Sequence, residues 1–581
     1  MAAELPNPSL VPFVVAVTGH RDLRAQDEEA LRRQVGKVLA GFRERMPSTP
    51  LLVMSGLAEG ADQLVAEVAL EQGASVAVVL PLPLEIYKTQ MSVAGWQRFE
   101  ELRAQAALEV QLPLDGRSEE DLRDSEESRA ACYEALAIFL ARQGQALLAL
   151  WDGSQSNKHG GTSSVVSYVR SGVLLEGADE PGARCGVVYQ IVTPRRNGEL
   201  PENALETMTL GSETQPAAKG NEGTLPANVD AGTTLAVLEE NLERFNRASL
   251  RLPDGATQPR SRLIAEGSVA LSEFQVRLET LYGQADAISV DANGWRKLFL
   301  FLILGVAIAG TLFYGIHGEM LGDYVWLWFS FAVFVITALL LHRTARARHI
   351  ETQYLDARAF AEALRVQFFW EMAGVKQPVD RYYLVDQPTE LDWIRYALKN
   401  VWLLHLGTRE ESASPPNRRA VLECWVKDQM TWYRNKADGQ TRSVHRRERV
   451  SRDALLIAVG WSILIPASLL IPGPWRELAP WKAIRAGNWV YQAFHVALAV
   501  PALLAGGYRL WIEQAGYEEQ SREYRSMERK FSAKAKALET NLESAAVAEN
   551  LLLELGKDAL SENGRWLLLH RERPMEVLST P

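Results

Sequence analysis

Residues 13–23, FVVAVTGHRDL, and residues 51–65, LLVMSGLAEGADQLV, decide the reading of the fold. In each, a short apolar run breaks into a polar, glycine-bearing loop. An amphipathic stretch follows, from Asp27 to Arg45 in the first case and to about Gln72 in the second. The pattern is strand, loop, helix. Ser75–Leu80 predicts a third strand and Ala146–Leu150 a later one. The latter leads through Trp151, Asp152 and Gly153 to Gly160, Gly161 and Thr162, which open another helix, and Gly186–Val192 closes the set. Strands alternating with helices predict an α/β, Rossmann-like parallel sheet over residues 1–196.

Such sheets bind ligands beyond the carboxyl ends of their strands, where the polar loops fall. Glycine lets backbone amides approach a phosphate closely, and the amino end of the next helix adds N–H donors and a positive dipole. The candidate nucleotide-binding residues are Thr18, Gly19, His20 and Arg21 in the first loop, and Ser55, Gly56, Glu59, Gly60 and Asp62 in the second. Trp151, Asp152, Gly153, Gly160, Gly161 and Thr162 make the third. Arg21 can offer a charge-assisted fork to phosphate or carboxylate. The plainer readings are that the glycines simply start helices, that His20 is a loop residue and that Asp62 caps its helix.

VTGHRDL, SGLAEGADQLVAEVAL and WDG followed by HGGTSSVV resemble the SLOG superfamily of Rossmann-like domains, relatives of the LOG and DprA proteins, over about residues 11–195. The resemblance implies a nucleotide-derived ligand or, in the LOG branch, cleavage of nucleoside monophosphates at the N-glycosidic bond. That branch is similar to PGGxGTxxE, with Glu three residues after Thr. Here Ser163, Ser164 and Val165 follow Thr162, so the carboxylate is missing and the resemblance implies a sensor with no catalytic residue. Glu59 and Asp62 are the remaining candidate acids.

Residues 197–233, rich in Gly, Pro, Asn, Thr and Glu, read as a linker or lid. Residues 234–292 read as a helical connector, with Leu235, Leu238, Leu242 and Phe245 on one face and a second helix over Leu263–Gly283. It either transmits a signal or pads the sheet.

Leu298–Ile316 and Val325–Leu341 contain no Asp, Glu, Lys or Arg, and each is long enough to cross a bilayer. A central charge would cost about 2.5 to 3.5 kcal/mol on insertion scales. Ala454–Ile471 and Trp489–Ile512 repeat the arrangement. With Pro466, Pro501, His495 and Arg509, they also read as buried helices of a soluble domain. Two transmembrane hairpins are therefore expected, over residues 293–440 and 441–581. Arg296, Lys297, Arg343, Arg346, Arg348, Arg446, Arg447, Arg449 and Arg452 flank the spans, with Arg522, Arg525, Arg529 and Lys530 beyond the fourth. The connection His317–Asp323 has no Lys or Arg, which predicts a multi-pass protein with both termini cytoplasmic.

YLDARAFAEALRVQFFWEMAG (354–374) and YEEQSREYRSMERKFSAKAKALE (517–539) are charged helices following the hairpins, a pattern that suggests an internal duplication. The first hairpin with YLDARAFAEALRVQFFW, together with LGKDALSENGRWLLLHRERPMEV (555–577), resembles the SLATT domains, two-transmembrane effectors associated with SMODS and SLOG. The resemblance spans about residues 285–577. It implies pore formation or membrane perturbation when a linked nucleotide sensor is engaged, in bacterial anti-phage or conflict systems at the inner membrane. It carries no catalytic residue.

At 581 residues the chain is expected to hold several modules. Cys132, Cys185 and Cys424 lack metal-ligand or redox spacing and read as reduced thiols. Met1–Leu10 lacks the regions of a signal peptide. A formal charge of -10 argues against nucleic-acid binding. The expected partners are a nucleotide second messenger or related small molecule, membrane lipids and further copies of the chain, with no metal or other cofactor. The alternative is a membrane-anchored nucleotide hydrolase using Glu59 or Asp62. A secondary transporter fits less well, because the spans carry no interior carboxylate.

Overall fold

The structure is a computed structural model that describes residues 7–155, 160–172, 186–211, 231–253, 262–265, 267–320, 326–385, 391–407, 416–469 and 517–572. Two compact units divide the chain. The first holds Met1–Ala287 and Ala359–Pro416, and the second Ile288–Arg358 and Asn417–Pro581.

The first unit is built on seven strands: β1 (Phe13–Gly19), β2 (Leu51–Ser55), β3 (Ser75–Leu80), β4 (Leu108–Gln111), β5 (Ala146–Trp151), β6 (Val187–Val192) and β7 (Thr207–Leu210). Their order is β4-β3-β2-β1-β5-β6-β7, with every pair parallel except β6 and β7. Helices cover both faces, so the central strands are apolar along their whole length; Phe13, Val14, Val15 and Val17 are fully buried. The order runs outward in both directions from β1 and β5, and the loops after these two strands meet where it reverses.

The helices of this unit are α1 (Glu28–Arg45), α2 (Ala61–Glu71), α3 (Leu84–Lys88), α4 (Val93–Ala104), α5 (Glu119–Asp124), α6 (Glu126–Gln143), α7 (Thr162–Ser171) and α8 (Ala231–Leu250). On α1, Leu31, Val35, Leu39 and Phe42 recur at the helical period, and all are buried. The Leu235, Leu238, Leu242 and Phe245 face of α8 is buried in the same way. Three later helices are α9 (Glu273–Met320), α10 (Trp326–Ala347) and α11 (Ile350–Ala373), followed by α12 (Asp392–Leu406). Two of the unit boundaries fall within α9 and α11, and the third lies between Pro416 and Asn417.

Two asparagines tie distant helices to the amino-terminal edge of the sheet. Asn246 of α8 accepts from Val11 N at 3.0 Å and donates to Val11 O at 2.8 Å. Asn400 of α12 donates to Pro12 O at 2.7 Å and exchanges 2.9 Å amide bonds with Gln145, which itself accepts from Val14 N at 2.6 Å. Both asparagines are fully buried, so each bond satisfies a group that would otherwise be costly to desolvate. Phe360, Leu364 and Phe368 of α11 are also fully buried, with Phe360 packed on Phe245 and Trp393.

The second unit pairs α13 (Arg418–Val421), a short π-helical turn and α14 (Asp428–Leu469) with α15 (Tyr517–Asn541) and α16 (Ala545–Glu572). Trp425 and Tyr433 pack on Phe531, and Tyr433 donates to Glu562 at 3.2 Å. The two charged helices α11 and α15 thus differ in surroundings, since Phe531 of α15 packs on these neighbours while Phe360 of α11 lies in the core of the first unit. Arg571 of α16 pairs with Asp356. Phe313 of α9 and Phe334 of α10 pack with ring centres 5.8 Å apart.

Several expectations are corrected. The sheet also contains β4, in a segment where no strand was read. It contains β7 as well, which lies within the expected linker and pairs antiparallel. Both are four-residue strands, too short for periodicity to register, and β7 is specified by its neighbour rather than by burial, since Thr207, Met208 and Thr209 are exposed. The second connector helix begins at Glu273 rather than Leu263 and runs unbroken into the first apolar segment as α9.

Among the described residues one helix, Glu273–Gly310, is long and apolar enough to cross a membrane, in place of the four spans of two hairpins. The second and third apolar segments lie on α10 and α14. Trp489–Ile512, with His495, Pro501 and Arg509, lies outside the described residues, as does Cys185.

Candidate functional site

The site lies at the carboxyl edge of the sheet, where three loops converge. Loop one follows β1, and its turn is fixed by His20 N donating to Leu150 O at 3.0 Å. Gly19 admits this approach, because a Cβ there would lie 2.4 Å from the Ala61 Cβ. Loop two enters α2 through Gly60, at φ +98°, where a Cβ would lie 2.5 Å from Arg21 O. Ala61 N donates to His20 O at 3.0 Å, which locks loops one and two together.

Loops one and three join at the strand-order reversal. His20 Nε2 lies 3.1 Å from Asp152 Oδ1 and 3.1 Å from the Asp152 N–H. Burial lowers the pKa of His20 against the pull of Asp152, and Arg195 lowers it further. A neutral ring whose Nε2 accepts the backbone N–H fits both facts. Asp152 also accepts from Ser154 N at 2.9 Å and Ser154 Oγ at 2.6 Å. These bonds from Ser154 hold its pKa low despite partial burial. Gly153 takes φ +89° in this turn.

Tyr133 of α6 links the remaining parts. The Arg21 guanidinium lies 5.5 Å from its ring centre, and a Cβ on Gly160 would fall 2.5 Å from the Tyr133 carbonyl carbon. Gly161 is the N-cap of α7, which begins at Thr162, and Gly60 is the N-cap of α2. Both caps are glycines, which supply no side-chain bond to the helix start. Two helix amino termini with glycine caps therefore open on one edge, beside exposed Arg21.

The two carboxylates of loop two accept hydrogen bonds from neighbouring serines. Glu59 accepts from Ser92 N at 3.0 Å and Ser92 Oγ at 2.7 Å, and these bonds hold its pKa low. It thereby braces the start of α4, whose N-cap is Ser92. Asp62 is 8% exposed and accepts from Ser55 Oγ at 3.0 Å. Burial pushes its pKa up to about 6, against the Ser55 bond and the Arg21 charge. Thr18, Ser55 and Trp151 are buried.

Three contributors were not legible in the sequence. Tyr133 sits mid-helix, with no motif to mark it. Arg195 and Arg196 follow β6 in a fourth loop, which folds back so that Arg196 N donates to Asp22 O at 2.9 Å and Arg195 Nε donates to Asp22 Oδ1 at 3.3 Å. The paired arginines after the Gly186–Val192 strand were the available signal. Among the described residues no cluster of His, Cys, Asp and Glu is arranged to hold a metal.

No protein-family model and no curated protein matches the chain.

Proposed function

We propose that this protein is a nucleotide-sensing membrane effector, and that a nucleotide-derived signal bound at the sheet edge drives pore formation or membrane perturbation. The observation that carries the reading is the convergence of glycine-bearing loops and two helix amino termini at the strand-order reversal, under the positive charge of Arg21, Arg195 and Arg196. Phosphate is the chemistry that such an edge suits. The membrane part rests on Glu273–Gly310 and on apolar side chains left facing outward, among them Phe301, Phe329, Ile336 and Ile463. Large apolar side chains exposed in this number call for lipid or protein cover.

A ligand shifts such an equilibrium only by its differential affinity, and a hundredfold preference supplies about 2.7 kcal/mol per subunit. Few helices enclose little lumen, so a conducting path would be assembled from several copies. The setting that fits is bacterial defence at the inner membrane. A second reading, nucleotide hydrolysis, draws on Asp62, whose pKa near 6 suits acid–base work.

The test is dye release from liposomes holding the purified chain, titrated with cyclic and linear nucleotides, beside Gly161→Asp and Arg21→Ala. Release that needs one nucleotide and is lost in both variants is expected. Nucleotide consumed without release would replace the effector with a tethered hydrolase.

A further inference from the structure

On α14, Arg442, Arg446 and Arg449 recur at spacings of four and three, and all are exposed. Seven residues on, the same face carries Leu456, 61% exposed, and then Ile463, 62% exposed. Among the described residues Arg442 and Arg449 donate only to carbonyls of their own helix, Asp438 O at 3.2 Å and His445 O at 3.3 Å, and Arg446 has no partner. The nearby carboxylates are engaged elsewhere, Glu448 with His445 at 3.4 Å and Asp453 with Arg452 at 3.1 Å. α10 repeats the design in reverse, its exposed face running Val333, Ile336, Leu340 and then Arg343.

A helix face that passes within two turns from unpaired arginine to exposed aliphatic side chains matches one surrounding, the boundary between headgroups and hydrocarbon. We infer that the Arg442–Arg446–Arg449 stripe binds anionic phospholipid headgroups. The guanidinium fork pairs with the phosphodiester oxygens, and the net negative charge of the lipid sets the preference. The inference rests on the membrane reading of the proposed function and adds the headgroup class and the residues that select it.

Purified full-length protein in detergent is to be offered labelled phosphatidylglycerol or phosphatidylcholine, and the lipid retained is measured. The variant Arg442→Gln/Arg446→Gln/Arg449→Gln is compared with the triple lysine variant. Phosphatidylglycerol is expected to be retained preferentially. The preference should fall about fivefold per arginine neutralised, the factor that about 1 kcal/mol corresponds to, and survive in the lysine variant. Equal retention of both lipids, or a preference unchanged by the glutamines, overturns the inference. So does binding of a DNA duplex that the glutamine variant loses, with no lipid preference. Carbonate extraction of the reconstituted chain tests the spans separately, since release by carbonate with the preference intact removes the spanning helix and keeps the headgroup site.

Discussion

His20 and Asp152 clasp the two halves of the sheet at the point where strand order reverses, with Nε2 of the imidazole 3.1 Å from both the Asp152 N–H and its Oδ1. The ring is 7% exposed, and burial lowers its pKa. Because its folded pKa is depressed below 6.5, its contribution to stability is present above that value and is lost as pH falls through the folded pKa. His20→Ala should cost about 1 kcal/mol at neutral pH, the net worth of a typical hydrogen bond. It should also flatten the acid limb of the stability curve, read by urea denaturation as a function of pH.

Asp62 has the opposite sign. Its folded pKa is raised from an ordinary 3.8 to about 6, so the stability it confers is complete below 3.8 and is lost as pH rises through 6. The full difference corresponds to about 3 kcal/mol. Asp62→Asn keeps an acceptor for Ser55 Oγ without that titration. Its stability relative to the parent should therefore climb across this window and level off above it, again by urea denaturation.

Gly60→Ala introduces a Cβ 2.5 Å from Arg21 O at φ +98°, against backbone rather than a yielding side chain. Strain of this kind costs about 1–3 kcal/mol. The expected result is a lowered melting temperature together with weakened nucleotide binding, measured by calorimetry, since the same residue positions loop one. Gly116→Ala isolates the cost of the positive φ, +80° there, because no atom lies within 4 Å of a Cβ at that position.

Glu59→Gln separates sensor from hydrolase. Both Glu59 oxygens hold Ser92, so the substitution should lower stability modestly and leave nucleotide affinity within a factor of a few. Nucleotide turnover that disappears in this variant would show the residue to be catalytic and reverse the assignment.

Asn400→Leu removes the side-chain donor to Pro12 O and two of the bonds of the buried Gln145 amide, at a cost of about 1–3 kcal/mol. These groups sit at the edge of the sheet opposite the loops. Thermal stability should fall while nucleotide affinity of the folded protein holds.

The sequence by itself determined the strands β1, β2, β3, β5 and β6, because strands buried on both faces must be apolar along their length. It likewise placed the glycine-bearing loops after them and the buried face of α8, since a single helical period marks that face. The exposed apolar segments were legible for the same reason. The short strands β4 and β7 were not, because four residues carry too little pattern and a pairing neighbour decides them.

Only the tertiary structure showed that strand order reverses between β1 and β5, which turns His20 and Asp152 into neighbours. It alone brought Tyr133, Arg195 and Arg196 to the site and gave Glu59 to Ser92. It also joined Asn400 to Pro12 across 388 residues of chain. Composition and periodicity report how a residue relates to solvent and to its near neighbours. A hydrogen bond or charge pair between distant segments depends on where the folded backbone carries both partners, and no local pattern encodes that.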